Sequence, residues 1–302
     1  NMKKLTIILA FVLLASAVSA QSINISNAVE QMNRGYLKKA KDYIDKACAH
    51  EETADSPKAW YYSARIYFTI GDEIQKGSKK ATELKVLAPY WHKDCLNAAL
   101  TCQKLDTKGE YTELISNIIS YMGSVYYGFA SAAYEKQDFE KAIVYCDSAI
   151  IANSISGKDF LPQSYYLAGL CCTRLKDNAK AKNYYNYLVR TRNKKYMSVY
   201  ESLYRIYVEE KDTVNAVKTA ESFVKVAPDT VYQADMLASQ AYRLSGNNEK
   251  SQEYMNKALQ KVRNDNDKDI LLCAIGATYD NNDEYDAAEK CYKESLALVP
   301  NQ

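Results

Sequence analysis

Small and apolar residues return along this chain at intervals set by a pair of packed helices, and the pattern is clearest in the last stretch, 269–302. Gly276 is followed by Tyr279 three residues later, and Ala288, Tyr292 and Pro300 lie 12, 16 and 24 residues beyond Gly276. The polar run Asn281-Asn282-Asp283 separates the two groups and marks a turn. In a helix hairpin, small residues let the two axes approach, and a large ring fills the gap beside them. The pattern therefore predicts Gly276 and Ala288 as the contacts of a first and second helix, with the rings of Tyr279 and Tyr292 packed around them. Pro300 ends the second helix, because it has no N–H and restricts the residue before it. Tyr285 is expected to pack where the second helix begins.

Numbering each window so that Gly276 is position 8 brings most of the chain into one frame. Window 21–54 has Ala28, Ala40 and Ala47 at positions 8, 20 and 27. Window 57–107 has Trp60, Ala64, Tyr67 and Gly71 at 4, 8, 11 and 15. A Lys-rich insertion, 73–89, interrupts it before a second helix over 90–105. Window 123–156 has Phe139, Ala142 and Ala149 at 17, 20 and 27. Window 162–195 has Tyr165, Gly169, Ala181 and Tyr185 at 4, 8, 20 and 24. Window 197–230 has Tyr207, Ala216 and Pro228 at 11, 20 and 32; window 232–268 has Tyr242, Ser251 and Ala258 at 11, 20 and 27, with Gly246 in the turn. The frame is broken by Ala133 and Cys172 at position 11 and by Tyr204 at position 8. The stretch 110–136 reads as one long helix with a weak break near Gly123. The insertion, with Lys76, Lys79, Lys80 and Lys85, is expected to be a solvated loop on one face.

The register and chemistry of these positions resemble the tetratricopeptide repeat over nearly all of 21–302. That resemblance implies an all-α fold: a right-handed α-α superhelix of about seven antiparallel helix pairs, each burying its apolar face against its neighbours. It also implies that the first helix of each repeat lines a concave face through positions 2, 5, 9 and 12. Those positions hold Lys58, Tyr61, Arg65 and Phe68, then Ser124, Tyr127, Ser131 and Tyr134, then Gln163, Tyr166, Leu170 and Thr173 beside Arg174. Farther on they hold Ser198, Glu201, Arg205 and Val208, then Gln233, Met236, Gln240 and Arg243. Tyr61, Arg65, Tyr127, Tyr134, Tyr166, Arg174, Arg205, Gln240 and Arg243 are the expected partner-binding residues. Tyr buries a large area at small entropic cost and Arg makes directional charged hydrogen bonds, so such a surface suits an extended peptide with acidic or carboxyl groups.

Composition narrows the functional classes. Lys3 and Lys4, the apolar run Leu5–Leu14 and the small residues Ala17-Val18-Ser19-Ala20 read as a secretory signal peptide over 1–20. Removing it takes away two of the 39 basic residues and none of the 37 acidic ones, so the remainder is neutral. A neutral chain argues against general nucleic-acid binding, which needs a basic surface to displace counterions. No later segment has the roughly 18 apolar residues of a membrane span. The eight Cys residues have irregular spacings and include the adjacent Cys171-Cys172, which does not read as a disulfide framework. Cys95, Cys102, Cys146 and Cys172 fall on repeat packing positions and are expected to be buried thiols; Cys146 with Cys171 or Cys172 is the pair worth testing. His50 and His92 sit in different repeats outside any metal motif, and there is no C-x-x-C, phosphate loop or nucleophile elbow. Acid pairs such as Glu51-Glu52 and Glu209-Glu210 read as solvated charge. No cofactor, metal or catalytic residue is expected.

The expectation is a non-catalytic interaction scaffold or adaptor that binds a protein segment. Its location is expected to be exported, periplasmic or secreted, in a Gram-negative bacterium; the Asn-, Lys- and Tyr-rich composition fits a Bacteroidetes source. Two other readings stay open: a structural subunit of an outer-membrane assembly or uptake complex, and a glycan-binding protein using the aromatic groove.

Overall fold

The turns between helices carry the repeat as clearly as the packing positions do. Gly35, Gln137, Lys176, Lys211, Gly246 and Asp283 all have φ between 50° and 79°, and all fall on position 15 of their windows. In each case the next residue's N–H reaches back to the carbonyl of position 11, as in Asp177 to Cys172 (2.9 Å), Asp212 to Tyr207 (2.8 Å) and Asn247 to Tyr242 (2.9 Å). This closing bond satisfies a carbonyl left over at the helix end and reverses the chain. The reversed chain then starts the second helix with a side-chain cap. Asp177, Asp212 and Asn247 each accept from the backbone N–H three residues on at 3.1 Å. Asp138 does the same at 3.3 Å. A cap of this kind contributes about 1 kcal/mol.

The computed structural model describes residues 22–156, 162–192, 194–280 and 283–298. The expected signal peptide and Pro300 lie outside them. The described residues are all-α, with no strand among them. The chain divides into two compact units, 1–164 and 165–302. The N-terminal unit contains α1 (22–33), α2 (Leu37–Ala49), α3 (Pro57–Gln75), α4 (Ala81–Leu87), α5 (Trp91–Leu105), α6 (Thr112–Glu135) and α7 (Phe139–Ser156). From the boundary onward run α8 (Pro162–Arg174), α9 (Asn178–Arg190), a 3-10 turn (Lys194–Tyr196), α10 (Ser198–Glu209), α11 (Thr213–Val226), α12 (Tyr232–Leu244), α13 (Asn248–Lys261), α14 (Asp265–Asp280) and α15 (Tyr285–Leu298). Helices pair as hairpins, α3 with α5, α6 with α7, α10 with α11, α12 with α13 and α14 with α15. The second helix of one hairpin packs on the first of the next at α2–α3, α5–α6, α9–α10, α11–α12 and α13–α14.

Within the hairpins the small-plus-ring rule is met in atomic detail. A methyl group on Gly169 would collide with the Tyr185 ring, and one on Gly276 would lie 2.6 Å from the Tyr292 ring. Tyr185 is fully buried, and its hydroxyl meets Thr173 Oγ1 at 3.1 Å. Between hairpins a second device appears that the frame had not suggested. The position-11 tyrosine of one repeat meets position 25 of the repeat before it. Tyr67 donates to Asp45 Oδ1 at 3.1 Å, Asn186 donates to the Tyr207 hydroxyl at 3.5 Å, and Tyr242 donates to the Glu221 carboxylate. Lys41 and Lys182 lie over the Tyr67 and Tyr207 rings at 5.7 and 5.6 Å. Each pin fixes the register of one hairpin on the next.

Three expectations are corrected. The insertion is not a loop: α3 runs on through it to Gln75, and α4 follows with Ala81 and Leu84 buried. Lys80 bonds back to the carbonyl of Gly35 at 2.9 Å, and Lys76 pairs with Asp72. The physical reason is that α3 does not turn at its position 15. Gly71 stays helical, the Trp91 ring packs against it, and the left-handed residue comes later, at Gly77. The helix over 112–135 has no break at Gly123, which is buried inside it. Tyr285 does not pack at the start of α15; it is 62% exposed and bonds Asp283. The thiols expected to be buried, Cys95, Cys102, Cys146 and Cys172, are buried, as is Cys171, whereas Cys273 is exposed. Burial pushes the thiols of Cys48 and Cys102 up to about 12, so they stay protonated.

Candidate functional site

The expected binding residues divide according to unit. In the N-terminal unit the face of α3 is covered. Tyr61 is only 7% exposed, with its ring 4.8 Å from that of Tyr111. Phe68 meets Tyr121 at 4.9 Å in an edge contact. Tyr111 and Tyr121 belong to the approach and first turns of α6, ahead of the repeat window that begins at 123. The extra length of α6 therefore roofs the surface expected to be open, and Tyr61 is a core residue. Arg65 lies over the rings of Tyr61 and Tyr62 at 5.7 and 5.8 Å. Tyr127 and Tyr134 are half-buried, the first against the core and the second 5.6 Å from Phe139.

The roof is held by one carboxylate. Asp106 accepts from the backbone of Glu110 and Tyr111 at 2.9 and 2.7 Å and from Thr112 Oγ1 at 3.2 Å. Partial burial works the other way, but these hydrogen bonds keep its carboxyl below the ordinary range. A hollow of about 360 Å³ opens beside it, at Pro57, Lys58, Lys108 and Tyr111. Its most polar wall, Asp106, is already committed to the chain's own donors.

In the C-terminal unit the same positions stay open. A hollow of about 350 Å³ lies between α10 and α12. Positions 5, 9 and 12 of one repeat (Glu201, Arg205, Val208) form one wall, with Glu209 beside them. Positions 2, 5 and 9 of the next (Gln233, Met236, Gln240) form the other, and Tyr204 and Leu237 close the floor. Arg205 and Gln240, two of the residues expected to meet a partner, border this hollow. Arg243 is exposed one turn beyond Gln240, and its charge acts on Tyr204. Burial raises the Tyr204 hydroxyl pKa and Arg243 pulls it back, so the phenol stays neutral at physiological pH. Tyr166 is half-buried, 3.2 Å from Ser198 Oγ and 5.1 Å from the Tyr196 ring, and Arg174 is exposed at the end of α8. Neither lines this hollow.

Three lining residues, Tyr204, Glu209 and Leu237, were missed by sequence reasoning. Tyr204 was set aside because position 8 is a packing position that wants a small side chain; with a ring there, the floor gains a half-buried phenol. Glu209 had been read as solvated charge. It sits on the face of α10 shared by Arg205 and Glu201, one and two helical turns away, a relation the four-residue spacing contains. His50 ends α2, and His92 packs at the insertion boundary against Tyr126 with its pKa lowered by burial; both are structural. The described residues hold no cluster of His, Cys, Asp or Glu suited to a metal ion, and no helix among them is long and apolar enough to cross a membrane.

The tetratricopeptide repeat family matches residues 162–192, 236–260 and 271–302. No curated protein matches the sequence. Among solved structures, the chain is similar to MamA 41-end from Desulfovibrio magneticus RS-1 at 18% identity and a TM-score of 0.48, over 60% of this chain and 96% of that one. It is similar to the C-terminal part of a TPR repeat-containing protein from Cytophaga hutchinsonii at 14% identity and a TM-score of 0.47, over 92% of this chain and 96% of that one. It is also similar to YrrB, described as a TPR protein with an unusual peptide-binding site, at 15% identity and a TM-score of 0.46, over 59% and 86%.

Proposed function

We propose, from the premise that tetratricopeptide repeats make up 162–192, 236–260 and 271–302 of this chain, that the protein is a non-catalytic interaction scaffold. It holds a segment of a partner protein in the hollow between α10 and α12. The observation that carries this reading is the hollow itself, about 350 Å³ with unroofed walls supplied by successive repeats. Tyr204, Met236 and Leu237 offer apolar contact there, and Arg205, Gln233 and Gln240 offer polar contacts. A few apolar anchors with convergent polar groups are what a peptide site needs.

The reading is tested by a photo-crosslinking side chain at position 240, with bound partners mapped by mass spectrometry. A crosslinked segment that disappears when Met236→Asp is added, while the helical signal is kept, supports it. A partner captured only when the same probe is placed on α6 or in the insertion, and never from position 240, would overturn it. We further propose that the scaffold works in the cell envelope, reached through the leader at 1–20. A mature chain beginning at Gln21 in the envelope or medium supports that placement; an intact leader on cytoplasmic protein overturns it.

A further inference from the structure

The charges along α10 say what kind of segment fits. Glu201, Arg205 and Glu209 stand four residues apart on one helix face, so the signs along that wall run minus, plus, minus. Neighbouring charges are separated by about 6 Å along the axis. Neither Glu201 nor Arg205 is ion-paired among the described residues, although the same spacing does pair Lys257 with Glu253 and Lys293 with Glu289; Glu209 accepts from the neutral Asn178 carboxamide at 3.3 Å and keeps its charge. The opposite wall has a different chemistry. Gln233 and Gln240 present carboxamides, each able to donate and to accept. They lie seven residues apart, about 10 Å along α12.

A bound helix has no use for the amide wall, because its backbone groups are satisfied internally; an extended segment has free N–H and C=O groups. In an extended chain side chains alternate, and every second residue recurs at about 6.6 Å, close to the charge spacing on α10. The volume agrees: about 350 Å³ admits a few side chains, whereas a helix with its side chains is roughly 10 Å across. Resting on the reading above, we infer that the partner segment is extended and carries basic, acidic and basic side chains at alternate positions. The residues between them are apolar and point at the adaptable Met236. This departs from the acidic peptide expected from the tyrosines and arginines alone.

The test uses the full chain and two labelled synthetic peptides, one containing Lys-Leu-Glu-Leu-Lys and one with every charge reversed, followed by fluorescence anisotropy. The first should bind about tenfold tighter, the sum of three exposed pairs of modest strength. The variant E201K/R205E/E209K should invert that preference, and E201Q/E209Q should remove it without inverting it. Equal binding of both peptides, unmoved by either variant, overturns the charge register while leaving a peptide site in the hollow. Tighter binding of a staple-locked helix with the same charges four residues apart overturns the extended conformation. If neither peptide binds while the crosslink at position 240 persists, this inference fails and the scaffold reading stands; loss of both removes both.

Discussion

The first helices α3 and α10 present the same repeat positions and meet opposite fates. On α3 the position-5 ring, Tyr61, is capped by Tyr111, and the position-12 ring, Phe68, is met by Tyr121. On α10 the corresponding Glu201 and Val208 border an open hollow. The difference does not lie in the turn geometry, since the turns after α3 and α10 share one left-handed residue, Gly77 or Lys211, and one closing bond. It lies in what precedes the next repeat. α6 begins well before its repeat window and lays its first turns across α3, whereas α12 begins at Tyr232, where its window does. A binding surface in a repeat protein is thus set by the spacing between repeats as much as by the residues within them.

Removing the capped ring should give the largest effect. Tyr61→Ala leaves a cavity under Tyr111 and should cost about 3 kcal/mol, read by chemical denaturation. Met236→Ala on the open side should cost under about 1.5 kcal/mol and show mainly as weakened crosslinking at position 240. Equal destabilisation by the two would erase the distinction between roofed and open faces.

The register pins come next. Tyr67→Phe in the N-terminal unit and Tyr207→Phe in the C-terminal unit each remove one hydrogen bond between hairpins, worth about 1 kcal/mol. Similar losses in thermal unfolding would place the pins in the shared scaffold; a loss confined to one unit would make them part of the difference. Below that, Gln137→Gly and Lys211→Gly should each stabilise by up to about 1 kcal/mol, since a left-handed residue with a side chain is strained there. Unequal gains would show that the turns are not alike.

The smallest effect is a pH dependence. Hydrogen bonds to Asn215 hold the Asp212 carboxyl below its ordinary range, and those to Tyr111, Glu110 and Thr112 outweigh burial at Asp106. A depressed carboxyl stabilises the fold above its unfolded value, near pH 4, and that contribution is lost as pH falls through the folded value. Asp212→Asn should keep the cap and flatten the acid limb of a melting-temperature profile. Asp106→Asn should do so too and, in addition, raise the exposure of Tyr111 in the N-terminal unit.

The sequence by itself determined what is local to the repeat. Gly169 with Tyr185, and Gly276 with Tyr292, sit at fixed offsets on adjacent helices, so a close approach filled by a ring was legible from spacing. The buried cysteines were legible for the same reason, because positions 11, 20, 24 and 27 face neighbouring helices in every repeat. The left-handed position 15 was only half visible, since Gly35 and Gly246 mark it but Gln137, Lys176 and Lys211 do not; a backbone bond tolerates many side chains. Tertiary structure alone decided which face stays open. The rings that cover Tyr61 and Phe68 lie about fifty residues away in sequence, across an insertion that shifts the turn from Gly71 to Gly77. No periodicity within one repeat encodes that distance. At α10 the reverse holds, because nothing is inserted, and positions that point inward by register meet only the next repeat and the space between them.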